Sequence, residues 1–426
     1  MPDYVIIGNS AGGIGACEAI REVDRDGFIS IISDEPYPAY SRPLISEFLA
    51  GERTLEGMLY RPPEFYQQNA VQAMLGRKVA GIDFPGTRLL LDGGESLPWG
   101  KLLLATGGTP IVPAIAGKEK EGVFTFTTLD DARRMEPYLE GKPRVVVIGG
   151  GLIGFSLASA LVKRGVGVVM VELQDRVLGA ILDEPASRLV EAVLKGAGVE
   201  LITGQTVKEI TGRTGDEGRV GGVVMQDGRQ LSCGMVVVAI GVSPRTELVK
   251  NSPVKLNRGI VVDRHMATSQ ANVYACGDVA EAHDFVYGVC RLSPIWPNAY
   301  LGGRIAGYNM AGKQTEYPGG TAANSLKYFG YPLVSAGMVN PQDGCEVLVS
   351  RGEKVYRKVV LKDDRIVGLV FAGDIQQSGL AFGLMRDGVN VRLFKDALVR
   401  EDFGLTLLPQ GLRRERWAAS TKELVP

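Results

Sequence analysis

Two apolar strands in this chain each run into a glycine-rich turn and then a helix, and the two units stand about 140 residues apart. The first reads Tyr4-Val-Ile-Ile-Gly8-Asn-Ser10-Ala-Gly-Gly13, and the strand after its helix ends at Asp34-Glu35. The second reads Val145-Val-Val-Ile-Gly149-Gly-Gly151-Leu-Ile153-Gly154, and its following strand ends at Glu172. The first glycine permits the tight turn. The second position lets backbone approach a pyrophosphate held at the helix N-terminus, and the third lets helix and strand pack closely. An acidic strand end falls about 22 residues past the third glycine in one unit and about 18 past it in the other, where a carboxylate reaches ribose hydroxyls. One such turn is a weak signal. Two imply two dinucleotides on one chain, and hence electron transfer between them.

At 426 residues the chain is long enough for two or three domains with large cores. A formal net charge of −1 favours neither nucleic acid nor an anionic membrane as partner. The stretch from Val145 to Val162 is apolar enough to raise the question of a membrane span, but its glycines and β-branched start read as buried strand, turn and helix. Met1-Pro-Asp-Tyr leads directly into a strand, leaving no room for a signal peptide, so the expected compartment is the cytoplasm. The five cysteines, Cys17, Cys233, Cys276, Cys290 and Cys345, form no CxxC pair. That spacing argues against a local redox disulfide or an iron–sulfur or zinc site, and each thiol is expected to be reduced and buried. The two histidines, His265 and His283, lack ligand spacing, so no metal is expected.

The segment up to Pro110 closes on Leu102-Leu-Leu-Ala-Thr106-Gly-Gly108, a strand entering a second glycine turn. A linker around Pro113 to Gly122 and a short helix near Asp130 to Tyr138 lead to the second unit. Past Glu172 the pattern predicts a helix from Glu184 to Gly196 capped by Asp183-Glu184, a hairpin region from Val207 to Leu231, and a strand from Met235 to Ile240. Asn272 to Glu281 reads as strand, turn and helix, and another helix runs from Trp296 to about Gly312. From Tyr317 short alternating strands appear, among them Val355–Leu361 and Arg365–Phe371 joined at Asp363-Asp364, indicating a separate α+β domain. The basic tail from Arg413 reads as a flexible or partner-binding extension.

With Ala105-Thr-Gly107, Ala239-Ile-Gly241-Val and Tyr274-Ala-Cys-Gly-Asp278 in this order, the chain resembles the pyridine nucleotide–disulfide oxidoreductase superfamily over nearly its whole length. The resemblance implies an α/β fold with two Rossmann-like dinucleotide-binding domains in the glutathione-reductase-like arrangement, plus a C-terminal α+β domain. The FAD-binding domain would be discontinuous, residues 1–111 and 248–316, with an NAD(H)-binding domain over 112–247 and an interface domain over 317–426. The stretches Ala39-Tyr-Ser-Arg42-Pro43-Leu-Ile-Ser46, Ile295-Trp296-Pro-Asn-Ala299, Asn324 to Gly330 and Tyr356-Arg-Lys358 are similar to the branch holding NADH:rubredoxin reductases, ferredoxin reductases of oxygenase systems and the flavin module of nitrite reductase.

By that resemblance Gly8, Ser10 and Gly13 hold the FAD pyrophosphate, Glu35 the adenosine ribose and Arg42 the phosphates. Val79, Thr106 and Gly107 pass beside the flavin cofactor, Gly277 and Asp278 take its ribitol, and Trp296 lies near the isoalloxazine. Gly149, Gly151, Ile153, Gly154, Glu172 and Gly241 bind the nicotinamide cofactor. Glu172 also carries a direct argument: a carboxylate suits a free 2′-hydroxyl and repels a 2′-phosphate, so NADH is favoured over NADPH.

Three departures refine the match. No cysteine stands near Arg42-Pro43-Leu44, where relatives with a redox thiol place it, which sets aside disulfide reductase and cysteine peroxidase readings. Ser156 occupies a position where relatives carry glutamate close to the nicotinamide. Glu47 and Thr127 replace a lysine and an arginine of the oxygenase-type ferredoxin reductases, favouring the rubredoxin- and nitrite-reductase side. The function implied is hydride transfer between NAD(H) and FAD, then electron exchange with an iron–sulfur protein such as rubredoxin or ferredoxin, or with an iron–sulfur subunit of a larger complex such as an aldehyde oxidoreductase or nitrite reductase. Direct reduction of oxygen as an NADH oxidase, and a non-catalytic FAD-binding structural or sensory subunit, stay open beside it. So does a homodimer or hetero-oligomer formed through the C-terminal domain.

Overall fold

The structure, a computed structural model, describes residues 2–414; residues 415–426, the distal part of the basic tail, lie outside the described residues. Contacts divide the described residues into two compact units, one made of residues 2–173 and 198–321, the other of residues 174–197 and 322–414.

The first unit contains two five-stranded parallel sheets. In one, the strands Val273–Ala275, Lys101–Leu104, Tyr4–Ile7, Ile29–Ser33 and Val71–Leu75 lie side by side in that order. In the other the order is Glu200–Thr203, Val168–Glu172, Val145–Ile148, Met235–Val238 and Val123–Phe124. The central strands are buried along their whole length, which explains why they read as continuous apolar runs without alternation. Each fully buried Val or Ile there contributes about 1.5–3 kcal/mol relative to exposure. Val207–Arg213, Asp216–Met225 and Gln230–Ser232 pair antiparallel, so the expected hairpin region is a three-stranded meander. The short helix Leu129–Met135 starts at a capping box in which Thr128 and Asp131 satisfy each other's backbone N–H groups.

Helix Ala11–Val23 follows the first glycine turn and packs on helix Trp296–Met310 through small residues. A Cβ added at Gly303 would lie 2.0 Å from the Gly12 carbonyl oxygen, and one at Gly307 would lie 2.5 Å from that of Ala16. The helices therefore touch backbone to backbone.

Past Gly277–Val279, a single turn of 3₁₀ helix, the chain departs from the expected helix and forms the strand Ala280–Asp284, paired with Val289–Arg291. Its residues have ample helix propensity, but tertiary contacts override it. Ile260–Val261 pairs along the strand, and the buried Glu281 carboxylate accepts the Gly259 N–H at 2.6 Å and the Asn257 amide at 3.0 Å. Burial of every cysteine is corrected as well: Cys17, Cys233 and Cys276 are buried, Cys345 is half-buried, and Cys290, on the hairpin strand, is exposed.

The second unit is built on a five-stranded antiparallel sheet, in the order Ala323–Tyr328, Tyr331–Gly337, Arg365–Ala372, Tyr356–Lys362 and Glu346–Arg351. The helix Glu184–Gly196 clusters with it, although in chain order it lies between two strands of the second parallel sheet. Tyr356–Leu361 does not alternate as expected; all six residues are buried, Arg357 and Lys358 among them. The Lys358 ammonium donates to Asp183 Oδ2 and to the Val339 carbonyl, both at 2.8 Å, and the Tyr356 hydroxyl donates to the same Asp183 oxygen at 2.7 Å. Asp183 is also the N-cap of the helix, so one carboxylate joins helix and sheet. Among the described residues no helix is long and apolar enough to cross a membrane.

Candidate functional site

The two glycine turns repeat one geometry. Gly8 and Gly149 have φ of +120° and +113°, which L side chains rarely adopt. A Cβ at Gly8 would lie 2.1 Å from the Ala105 carbonyl oxygen, and one at Gly149 would lie 2.5 Å from that of Ala239. Ala105 and Ala239 open the two Ala-x-Gly turns, so each fingerprint rests on the glycine turn of the neighbouring strand. Gly13 and Gly154 close the motif identically, each with its missing Cβ 2.0 Å from the carbonyl oxygen of the first glycine. At Gly151 an added Cβ meets nothing within 4 Å. The matching position of the first unit can therefore carry Ser10.

Around the first turn, Gly8, Ser33, Asp34, Val79, Thr106 and Arg245 help to line a cavity of about 590 Å³, within the usual size of a cofactor site. Gly8, Val79 and Thr106 are thus brought together, whereas Glu35, Arg42, Asp278 and Trp296 are not part of that wall. Glu35 pairs with Arg42 and accepts the Tyr40 hydroxyl at 2.5 Å, and Arg42 also donates to the Thr127 carbonyl at 3.1 Å. Desolvation holds the half-buried Asp278 carboxyl above its usual range, against the attraction of Arg42. Trp296 begins its helix and meets Tyr60 edge to face at 4.9 Å. Asp34 and Arg245, 3.1 Å apart, were not expected as site residues; they lie 211 positions apart and no local pattern links them.

At the second turn Glu172 accepts the Gly150 N–H at 2.5 Å, fixing its carboxylate at the mouth of the fingerprint. Leu173 and Ile240, 60% and 42% exposed, follow two strands that flank Val145–Ile148 and offer apolar surface at that end of the sheet. Sequence reasoning missed both. The Ser156 hydroxyl donates to the Ile153 carbonyl at 2.9 Å, so it is engaged by the first turn of its own helix. Burial pushes the Cys17 and Cys276 thiols up to about 12 and Cys233 to about 11, leaving them protonated and inert at neutral pH.

The residues present fit two nucleotide cofactors. Both turns have the cradle that a side chain at the first or third glycine would fill, the first has a cavity of cofactor size, and a desolvated carboxyl stands at the Gly277-Asp278 turn. Fold and turns together define an α/β oxidoreductase that handles two dinucleotides.

The chain belongs to the pyridine nucleotide-disulphide oxidoreductase family, whose model matches residues 2–310, and residues 323–388 match the C-terminal domain of rubredoxin NAD+ reductase. The cofactors are those of the family, FAD and NAD(H). The chain is 30% identical over 391 residues to a nitrite reductase [NAD(P)H] of Bacillus subtilis, covering 91% of this chain but 47% of that protein, and so spans about half of it. It is 30% identical over 367 residues to the epsilon subunit of an NADH-dependent phenylglyoxylate dehydrogenase of Aromatoleum evansii, covering 85% of this chain and 86% of the subunit. The putidaredoxin reductase chain in a covalent complex with putidaredoxin superposes with a TM-score of 0.85 at 25% identity, covering 99% of both chains.

Proposed function

We propose that this protein passes electrons between NADH and FAD and exchanges them with an external iron–sulfur protein or iron–sulfur subunit. The observation that carries the reading is the twin geometry of Gly8 on Ala105 and Gly149 on Ala239 within one compact unit. The near end-to-end match to a subunit of an NADH-dependent dehydrogenase supports service within a larger complex, and the likeness to a reductase solved in covalent complex with putidaredoxin supports a separate protein as the acceptor.

In this reading residues 1–111 and 248–316 hold the flavin, residues 112–247 hold the nicotinamide nucleotide, and residues 317–426 serve assembly. Bound FAD supplies a centre that takes a hydride and releases single electrons. The chain's own residues bind and orient. Gly8, Ser10 and Gly13 admit the pyrophosphate to the N-terminus of helix Ala11–Val23, while Glu35, Arg42, Val79, Thr106 and Gly107 border the nucleotide. Gly277 lets Asp278 reach a ribitol hydroxyl, and Trp296 shields the ring from water. Gly149, Gly151, Ile153, Gly154 and Gly241 seat the second nucleotide, and Glu172 selects its free 2′-hydroxyl. A cytoplasmic location fits a protein fed by NADH.

An anaerobic titration with NADH and NADPH, following flavin absorbance near about 450 nm, tests the reading. NADH is expected to bleach the flavin promptly and NADPH to do so at least tenfold more slowly. A flavoprotein that neither nucleotide bleaches refutes it and points to a non-catalytic subunit. Rapid aerobic turnover without a partner favours the oxidase instead, and chromatography with the native iron–sulfur partner separates homodimer from heteromer.

A further inference from the structure

The strands Gly108–Pro110 and Val242–Pro244 pair antiparallel where the chain leaves and re-enters the first parallel-sheet region. Arg245 follows directly and is pinned to the Ala-Thr-Gly turn by its backbone: its N–H donates to the Gly107 carbonyl at 3.0 Å, and its carbonyl accepts the Thr106 hydroxyl at 2.9 Å. Its side chain then reaches Asp34, at the end of strand Ile29–Ser33, where guanidinium and carboxylate stand 3.1 Å apart. Thr106, Asp34 and Arg245 all line the same cavity. One residue thus joins the Thr106 wall of that cavity to its Asp34 wall.

We infer that Arg245 and Asp34 form a clasp across the nucleotide cavity, making Arg245 a positioning residue that governs how fast FAD leaves. The inference rests on the reading of that cavity as the flavin site. An ion pair with side chains 33% and 48% exposed adds little to fold stability. Across a cavity, though, the same pair must separate for the walls to part, so its effect appears in ligand release. The backbone bonds to Gly107 and Thr106 restrict where Arg245 can move, which favours retention over mere surface pairing.

The test is flavin release from the holoprotein, followed by the rise in free-flavin fluorescence on dilution, for wild type, R245A, D34N, the D34N/R245A double variant and the D34R/R245D exchange. Each single variant is expected to release FAD about five- to tenfold faster. The double variant should be no faster than either single, and the exchange should recover most of the retention. Added salt should accelerate release from wild type but not from R245A. Single variants within twofold of wild type, or a double variant whose effect multiplies those of the singles, overturn the clasp. Apoprotein melting temperature and NADH affinity, both expected unchanged, show that the variants fold. If wild-type apoprotein takes up no FAD, the flavin reading itself fails; if it takes up FAD and R245A releases it at the wild-type rate, only the clasp fails.

Discussion

Gly303→Ala sets two opposed effects against each other at one position. Alanine in a helix interior is favoured over glycine by about 1 kcal/mol, so intrinsic propensity predicts stabilisation. The new Cβ would lie 2.0, 2.7 and 2.8 Å from the Gly12 carbonyl oxygen, carbonyl carbon and Cα, all backbone atoms of the opposing helix. No rotamer change relieves that overlap, so helices Ala11–Val23 and Trp296–Met310 must separate by roughly 1 Å, at a cost near the upper end of the 1–3 kcal/mol typical of overpacking. The net expectation is a loss of about 2 kcal/mol, which lowers the melting transition of that unit by roughly 4–8 °C. Because Gly12 lies in the first glycine turn, which the proposed function assigns to the flavin, flavin should also be lost at lower temperature. Gly196→Ala, in a helix where an added Cβ meets nothing within 4 Å, is the control and should stabilise by about 0.5 kcal/mol. Differential scanning fluorimetry with flavin and dye channels reads both effects. A G303A protein that melts at or above wild type would refute the backbone contact as the determinant.

Three further outcomes follow from the side chains. The Asp278 carboxyl, raised by desolvation, contributes stability that is present at low pH and lost as pH rises through its folded value; D278N apoprotein should therefore melt no lower than wild type at pH 7, while binding FAD at least tenfold more weakly in a fluorescence titration. Burial pushes Asp131 up, but the Thr127 amide, the Arg134 guanidinium and the Thr128 amide outweigh it and hold the carboxyl below its usual range. Its contribution is complete above about pH 4 and is lost as pH falls through its lowered folded value; D131N should cost about 1–2 kcal/mol at pH 6, and the gap to wild type should narrow steadily as pH falls below about 4 in denaturant titrations. K358M strands the Asp183 carboxylate in the second unit and should cost about 3–5 kcal/mol, whereas the D183N/K358M pair should cost less than K358M alone, as measured by urea unfolding.

Much of the fold was legible because its signals are local. A β-branched run ending in glycine specifies strand, turn and helix within about 15 residues, and both parallel sheets grew from such runs. The branch was legible from Ala39–Ser46 and Ile295–Ala299 together with the C-terminal strands, and a match to the rubredoxin reductase C-terminal domain accords with it. What escaped depends on distant partners. Ala280–Asp284 looks helical until Glu281 is seen to hold the Gly259 N–H, and Lys358 looks like a surface residue of an alternating strand until Asp183 is placed beside it. The Asp34–Arg245 pair escaped for the same reason, since nothing near either residue announces the other.

The strand Val273–Ala275 closes the edge of the first sheet beside Lys101–Leu104, and helix Trp296–Met310 covers the glycine face of helix Ala11–Val23. During synthesis at about 5–20 residues per second, Leu102, Leu103 and Leu104 leave the ribosome roughly ten to thirty seconds before the strand that pairs with them. For that interval the nascent protein presents an open apolar sheet edge and a bare helix face, a template for wrong partners. The whole second parallel sheet is translated meanwhile, so the pocket at the first glycine turn, the first to be encoded, closes only after the second turn has been made.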